Sequence, residues 1–526
     1  MQSLIAFGYG TMVVFSLIVL RAWARKASAT NPPLPPGPPS DPIIGHLRII
    51  PSQRQQNAFH EWSKVHGDVM QLRVLGRSII ILSSNEAATD LLEKRGLNYS
   101  SRPKFIIMDI MGWGQTLAFL PYRKRFLQHR KMISQPLGRE EIKSYQPIQI
   151  QAVQILLKGL LAKPAGYEEA FHRFVTSIIV EIAFGHTITS DDDIYLTLAR
   201  EHTISVDNSG PPGNTPVDFL PFLQHFPSWF PGTYFAEWAR TWSRVPQTIH
   251  DLPYNTLIQD IEQGHSNPSI LGQEIQKMLE TGSKTEARIS DIKGVAAVIF
   301  GAGVDSMEAT LSIFLLLMMR HPECQRKAQV EIDGILGGGR LPNLDDRPHL
   351  PYVEALYQEI KRWFPVIPLG LPHLSMNDDI YRGMFIPKGS VVFANARAIS
   401  LDESVYHDPS RFYPERFLPK PDGRGEPHFG AAFGYGRRQV NFLLVNHRLR
   451  RLVRICPGRL VADATLWFAL ASILSMFTVE VLPDKNGQYI VPTPEFCEGL
   501  AHHPVPFDCN VIIRSSQAET IVSQSC

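Results

Sequence analysis

The chain is predicted to be mainly α-helical with a smaller β-rich part, an α+β arrangement. Three patterns predict it. Helical periodicity dominates from Asn85 to about Met319. Short alternating patterns at Val69 to Leu75 and Ser78 to Ser83, parted by Gly76-Arg77, read as strands. A turn-rich mixed stretch runs from 375 to 430, before a long apolar helical pattern from Leu460 to Phe477.

At the N-terminus, Leu4 to Leu20 carries no charge and is followed by Arg21, Arg25 and Lys26. Seventeen uncharged residues are at the short end for a spanning helix. The cations follow the run instead of preceding it, which favours a single-pass anchor at 4–20 over a cleaved signal peptide and leaves the body facing the cytosol. Asn31 to Pro39 is too rich in proline for a helix and reads as a stiff hinge at 31–39. Residues 40–514 form the body, and the polar tail 515–526 is expected to be disordered. Residues 208–232, rich in Pro, Gly and aromatics, read equally well as a lid, a second membrane contact or ordinary packing around a loop.

Composition narrows the class. At 526 residues the chain can bury a large core. A formal charge of +2 gives no sign of a nucleic-acid surface. Five cysteines in so long a chain make no disulfide framework. No glycine fingerprint of a dinucleotide domain is present.

The most informative residue is Cys456, in Ile455-Cys456-Pro457-Gly458-Arg459 at the start of the last long helical pattern. The positive end of a helix favours the thiolate, a good metal ligand, and Gly458 lets a flat ligand approach the backbone. Upstream stands Phe433-Gly434-Tyr435-Gly436-Arg437-Arg438. Residues Gln439 to Arg454 separate the two pieces; without them the chain reads FGYGRRICPG. That joined string resembles the haem-binding signature of the cytochrome P450 family, Phe-x-x-Gly-x-Arg-x-Cys-x-Gly. In the notation of this chain it comprises Phe433, Gly436, Arg438, Cys456 and Gly458.

Other motifs follow in the family's order. Ser290 to Met319 reads as one buried helix, capped by Ser290 and ended by His321-Pro322. Within it, Ala302-Gly303-Val304-Asp305-Ser306 places a carboxyl beside a hydroxyl, and the Gly-Asp-Ser step removes bulk where something binds. This resembles the family's oxygen-activation segment, with Ser306 in place of a threonine; the hydroxyl stays and the rotamer-fixing methyl is lost. Glu359 and Arg362 share a helix face, and with Arg416 of Pro414-Glu415-Arg416-Phe417 they resemble the family's structural lock. Arg130, in a basic helical run, matches the arginine of a Trp-x-x-x-Arg motif that pairs with haem propionates, whereas Phe126 replaces the tryptophan and donates nothing. His373 is either a further propionate neighbour or a surface histidine.

The resemblance implies a membrane-bound haem-thiolate monooxygenase with Cys456 on the iron of haem b and Asp305 and Ser306 delivering protons. It implies electrons from a separate NADPH-dependent cytochrome reductase and residence in the endoplasmic reticulum membrane. The substrate would be a hydrophobic small molecule, a secondary metabolite or xenobiotic. By analogy its pocket would be lined by Phe105 to Trp113, Val298 to Ser306, Val366 to Leu371 and Gly499-Leu500. Two rivals stand beside this reading: a haem-thiolate isomerase or dehydratase, and a haem-deficient membrane protein disabled by the interruption. The interruption itself reads either as a loop, whose closure costs only about 2.5 kcal/mol, or as a translated intron. It carries Arg448, Arg450, Arg451 and Arg454 and no acid.

Overall fold

The computed structural model describes residues 31–210, 213, 215–436, 455–483 and 487–524. The expected anchor at 4–20, Arg438 and the interruption 439–454 lie outside the described residues.

A single helix, Glu286–Arg320, runs through the main hydrophobic core. Its 35 residues are apolar on nearly every side and contain no proline until Pro322, so it propagates until His321 caps it. It starts four residues earlier than the sequence suggested. Thr285, not Ser290, is the N-cap, its hydroxyl accepting from Arg288 N at 3.3 Å. Ser290 sits inside the first turns, where its hydroxyl accepts from Arg125. Around this axis pack helices Tyr167–Phe184, Arg459–Met476 and Lys124–Ser134. Two described helices, 286–320 and 459–476, are long and apolar enough to cross a membrane, but 72% of the apolar window of each is buried within the protein.

The β part is small. Strands β1 (Val69–Val74) and β2 (Arg77–Leu82) pair antiparallel across Leu75-Gly76, both at positive φ as a tight hairpin turn requires. Two further pairs are β4 (Asp379–Tyr381) with β5 (Met384–Ile386), and β7 (Phe477–Val481) with β8 (Cys509–Ile513). Strand β6 (Val391–Ala394) lies parallel to β2, and β3 (His373–Leu374) lies antiparallel to β6, giving the order β1-β2-β6-β3. One face of this sheet covers a second apolar cluster around Phe59, Leu72 and Phe393.

The proline run is bound to the body. Its carbonyls at Pro33, Pro36 and Pro38 accept from Phe385 N, Gln71 N and His46 Nε2, each at 2.8 Å. The expected disorder of the tail is corrected: Ser516–Gln524 is a helix with Ala518 and Val522 buried against the helices Gln146–Ala162 and Arg459–Met476. Ala518, Ile521 and Val522 fall on one helical stripe, which a reading by composition alone overlooks.

In the 208–232 segment, Pro216–Phe219 and Pro221–His225 form short helices. Phe219 packs on the sheet cluster, while Phe222, Phe226, Trp229 and nearby Tyr234 are exposed.

Candidate active site

Cys456 is positioned from both sides of the interruption. Its amide donates to Phe433 O at 3.0 Å, so the two halves of the split motif meet as a closed loop. Phe433 ends a short 3-10 turn, Gly430–Phe433, and Gly434 follows at φ 73°, a conformation cheap for glycine only. Gly436, further along, hydrogen-bonds through its amide to Glu93 at 3.4 Å. The Phe433 ring lies under Lys361 Nζ, 5.5 Å from its centroid. On the other side, Gly458 is the N-cap of Arg459–Met476; a Cβ built there would meet only the Cys456 sulfur, at 4.0 Å.

The sulfur's electrostatics differ from the sequence expectation. Burial pushes the Cys456 thiol up, outweighing the Gly458 amide and the charges of Arg130 and Arg459, which pull it down. The helix terminus by itself therefore does not make a thiolate. Metal binding would, because a coordinating thiol loses its proton outright.

Arg130, on Lys124–Ser134, is 6% exposed, and burial pushes its pKa down to about 10. Its Nε has no hydrogen-bond partner, and no carboxylate pairs with it among the described residues. Arg102, which sequence reasoning missed, is likewise buried, with its pKa pushed down to about 9. Among the described residues it donates only to the carbonyls of Ala118, Leu371 and Pro372. His373 is no surface histidine: it is buried on β3, its Nδ1 2.7 Å from Tyr99 O. Phe126 is buried against Tyr122. Buried guanidiniums without acids are costly by themselves, and they suit a ligand that carries carboxylates. A thiol at a helix N-terminus, a glycine beside it and these cations together fit haem with its propionates.

The long helix offers one open stripe. Ala302 is exposed in the middle of this otherwise buried element, and Val298 and Ser306, four residues to either side, are half-buried. The Ser306 hydroxyl donates to Ala302 O at 2.8 Å. Gly303 does not face this stripe. A Cβ there would lie 2.6 Å from Ile179, so this glycine admits the neighbouring helix Tyr167–Phe184, not a ligand. Asp305 is buried and turned to another partner, His503 Nε2 at 2.7 Å, with Thr203 Oγ1 at 3.5 Å.

A cleft opens between Ser52, Gln55 and Gln56 on one side, Ile367 to Gly370 and Phe393 on another, and Glu498 to Leu500 with His502 on a third. Two of the four segments expected to line a pocket therefore border it. Phe105, Ile107, Met111 and Trp113 lie in the main core instead.

Glu359, Arg362 and Arg416 are all fully buried. Glu359 takes both Arg362 Nε at 2.7 Å and Nη2 at 2.8 Å, Arg416 Nε at 3.1 Å and Tyr413 N at 2.8 Å. Arg362 Nη1 continues to Ser400 O and Pro409 O, and Arg416 Nη1 reaches Glu426 at 2.7 Å. The network ties the helix Pro351–Trp363 to the segment that leads into the cysteine loop.

A family model described as Cytochrome P450 matches residues 35–439. That match ends at the first residue of the interruption. Cytochrome P450 monooxygenase 98 of Postia placenta is 36% identical over 522 residues, covering 98% of this chain and 96% of its own. Cytochrome P450 monooxygenase 136 of the same fungus is 34% identical over 507 residues, covering 95% and 92%. Tryptamine 4-monooxygenase of Psilocybe cyanescens is 34% identical over 519 residues, covering 97% and 98%. Alignments of this extent run past Cys456 into the C-terminal part. On the matched span, the full-length relatives and the site geometry, this chain belongs to the cytochrome P450 family of monooxygenases.

Proposed function

We propose that the protein is a membrane-bound haem-thiolate monooxygenase that places one oxygen atom of O2 on a hydrophobic small molecule, fed by a separate NADPH-dependent reductase. The observation that carries this reading is the closure of Phe433 and Cys456 into one loop across the interruption. Cys456 would ligate the haem iron, and Arg130 and Arg102, with His373 beside them, would hold the propionates. Haem, when bound, supplies dioxygen activation, and thiolate donation favours O–O cleavage.

The chain's own residues do the rest. Ser306, anchored to Ala302 O, presents a hydroxyl on the open stripe of the long helix. Asp305, the next residue back, holds a carboxyl that exchanges protons. Ile367, Leu369, Phe393 and Leu500 give the cleft an apolar lining that favours a hydrophobic substrate. A secondary metabolite or xenobiotic with an aromatic or terpenoid skeleton suits such a surface, and the indole amine acted on by one relative is a reasonable first member of a substrate screen.

The membrane part of the reading rests on the uncharged run 4–20 and on the exposed aromatics. Trp229 is 79% and Tyr234 62% exposed, beside Phe222 and Phe226. Amphipathic rings of this kind sit well at a lipid interface. The cations that follow this run support a body on the cytosolic side, and we take the membrane to be that of the endoplasmic reticulum.

The test is the carbon-monoxide difference spectrum of the reduced full-length protein, followed by oxidation assays with reductase and NADPH. A thiolate-type Soret shift and NADPH-dependent product are expected. Failure to bind haem would favour the haem-deficient reading. Product formed without reductase or NADPH would favour an isomerase or dehydratase.

A further inference from the structure

Asp305 belongs to a polar cluster whose other members, Asp207 and His503, have no part in the proposed function. His503 Nε2 is 2.7 Å from Asp305 Oδ1, and one ligand-type atom from each of Asp207, Asp305 and His503 lies within 4.8 Å of the others. Asp207 ends the helix Ile194–Asp207, and its Oδ1 is buried without a hydrogen-bond partner. The three groups come from three separate elements. His503 belongs to a hairpin closed by the Phe496–Pro504 bridge and by Cys497 N donating to His503 O at 2.9 Å.

That hairpin also borders the cleft. Gly499, Leu500 and His502 line it, and His502 N is held by Val366 O at 2.8 Å. The hairpin reaches Asp207 through a glycine: a Cβ at Gly499 would stand 2.1 Å from Asp207 Oδ1. One short loop thus touches the cleft, the buried Oδ1 of Asp207 and the carboxyl that precedes Ser306.

Resting on the monooxygenase reading, we propose that His503 is a positioning and proton-supplying residue for Asp305, with Asp207 as the acid behind it. The proton moves from His503 Nε2 to Asp305 Oδ1, which leaves a neutral imidazole. Asp207 then gives its proton to that imidazole and becomes a carboxylate until solvent restores it. Monooxygenation consumes O2, two electrons from the reductase and two protons per product and water, and this pair stores two.

The protonation states agree with these roles. Burial opposes charge on His503, but the ion pair with Asp305 and the field of Asp207 outweigh it and push its pKa up to about 9. Burial and the charge of Asp305 push Asp207 up to about 8, so it carries a proton at neutral pH. The other titratable groups facing the cluster are few. Burial lowers His202 on the Asp207 helix, despite Asp305 nearby. Burial and His503 itself lower His502 to about 4. Burial raises Cys497 in the hairpin to about 11. Glu308 on the long helix is taken up by His172 at 3.1 Å.

The experiment uses full-length holoprotein with reductase, comparing wild type, H503Q and D207N, with D305N added for the titration. Histidine-labelled protein is titrated by NMR, the His503 signal being assigned by its loss in H503Q. NADPH-driven oxygen consumption is measured in H2O and D2O. His503 is expected to titrate near pH 9 and to fall by more than one pH unit in D305N. H503Q is expected to consume oxygen at least fivefold more slowly with a larger solvent isotope effect, and D207N to show the same change more weakly. Rates and isotope effects in both variants equal to wild type, with the thiolate-type spectrum intact, would overturn the role of His503 alone. A histidine signal unmoved by D305N would do the same. A wild type that forms no thiolate-type carbon-monoxide complex would overturn the monooxygenase reading beneath it. If H503Q does not fold, D207N and the wild-type titration decide the matter.

Discussion

The Cys456 amide donates to the Phe433 carbonyl at 3.0 Å, although Gly434 to Ile455 stand between them in sequence. The bond ties the first residue of one piece of the motif to the cysteine of the other. Excision of residues 439–454 should therefore preserve the cysteine loop. The shortened protein is expected to load haem at least as well as the full chain, measured as haem per protein and as the amplitude of the carbon-monoxide difference spectrum. Transcript reads spanning codons 438–455 give the complementary measurement. If the shortened chain fails to bind haem while the full one succeeds, the segment is a working part of the loop.

Cys456→Ala tests the ligand directly. Loss of the thiolate-type spectrum is expected, with the apoprotein still folded by circular dichroism, because removing one thiol leaves the core helices untouched. An undiminished Soret shift would show that another residue holds the metal.

Arg130→Met should act in opposite directions on two states. Apoprotein stability is expected to rise, because a buried cation without an acid partner is replaced by an apolar side chain of similar length. Haem retention is expected to fall, because a propionate partner is lost. Competition for haem against an apo-globin acceptor checks the second effect and urea unfolding of the apoprotein the first. Faster haem loss together with a less stable apoprotein would mean that Arg130 has an internal structural role.

Glu359→Gln should be severe. It leaves Arg362 and Arg416 fully buried without their shared anion, and breaking such a pair costs about 3–5 kcal/mol. A large fall in melting midpoint, or insoluble expression, is expected. An unchanged midpoint would show that the carbonyls of Ser400, Pro409 and Arg411 hold the two arginines by themselves.

Stability should fall as pH rises across the neutral range. The folded-state pKa of His503, about 9, lies above its unfolded value of about 6.5. Its contribution is therefore complete below pH ~6.5 and is lost as pH rises through about 9. H503Q should flatten this slope in chemical denaturation between pH 6 and pH 9. An equally steep slope in the variant would place its origin elsewhere.

Some expectations depended on local spacing, and these matched the structure well. The helix after Cys456 needed only an uninterrupted apolar pattern behind Pro457-Gly458. The β1–β2 hairpin needed two alternating runs and a glycine between them. Glu359 and Arg362, three apart on a helix, share a face by geometry alone. Other readings failed where neighbours far along the chain decide. Ser290 looked like a cap, but the first turn extends back to Thr285. The tail looked polar, yet Ala518 and Val522 find a groove between two helices. Gly303 looked like space for a ligand, and it makes space for Ile179.

What the sequence determined alone is the set of chemical parts: a cysteine before a helix, an acid beside a hydroxyl, a buried acid with two arginines, and their order along the chain. Side-chain type and period are local properties, so they survive without a fold. What only tertiary structure decided is which parts meet. The joining of Phe433 to Cys456, the burial of Arg130 and Arg102 away from acids, and the partnership of Asp305 with His503, 198 residues later, all arise from packing. Desolvation also belongs to that level, and it is the reason the Cys456 thiol lies above its usual range where helix polarity alone argued for the anion.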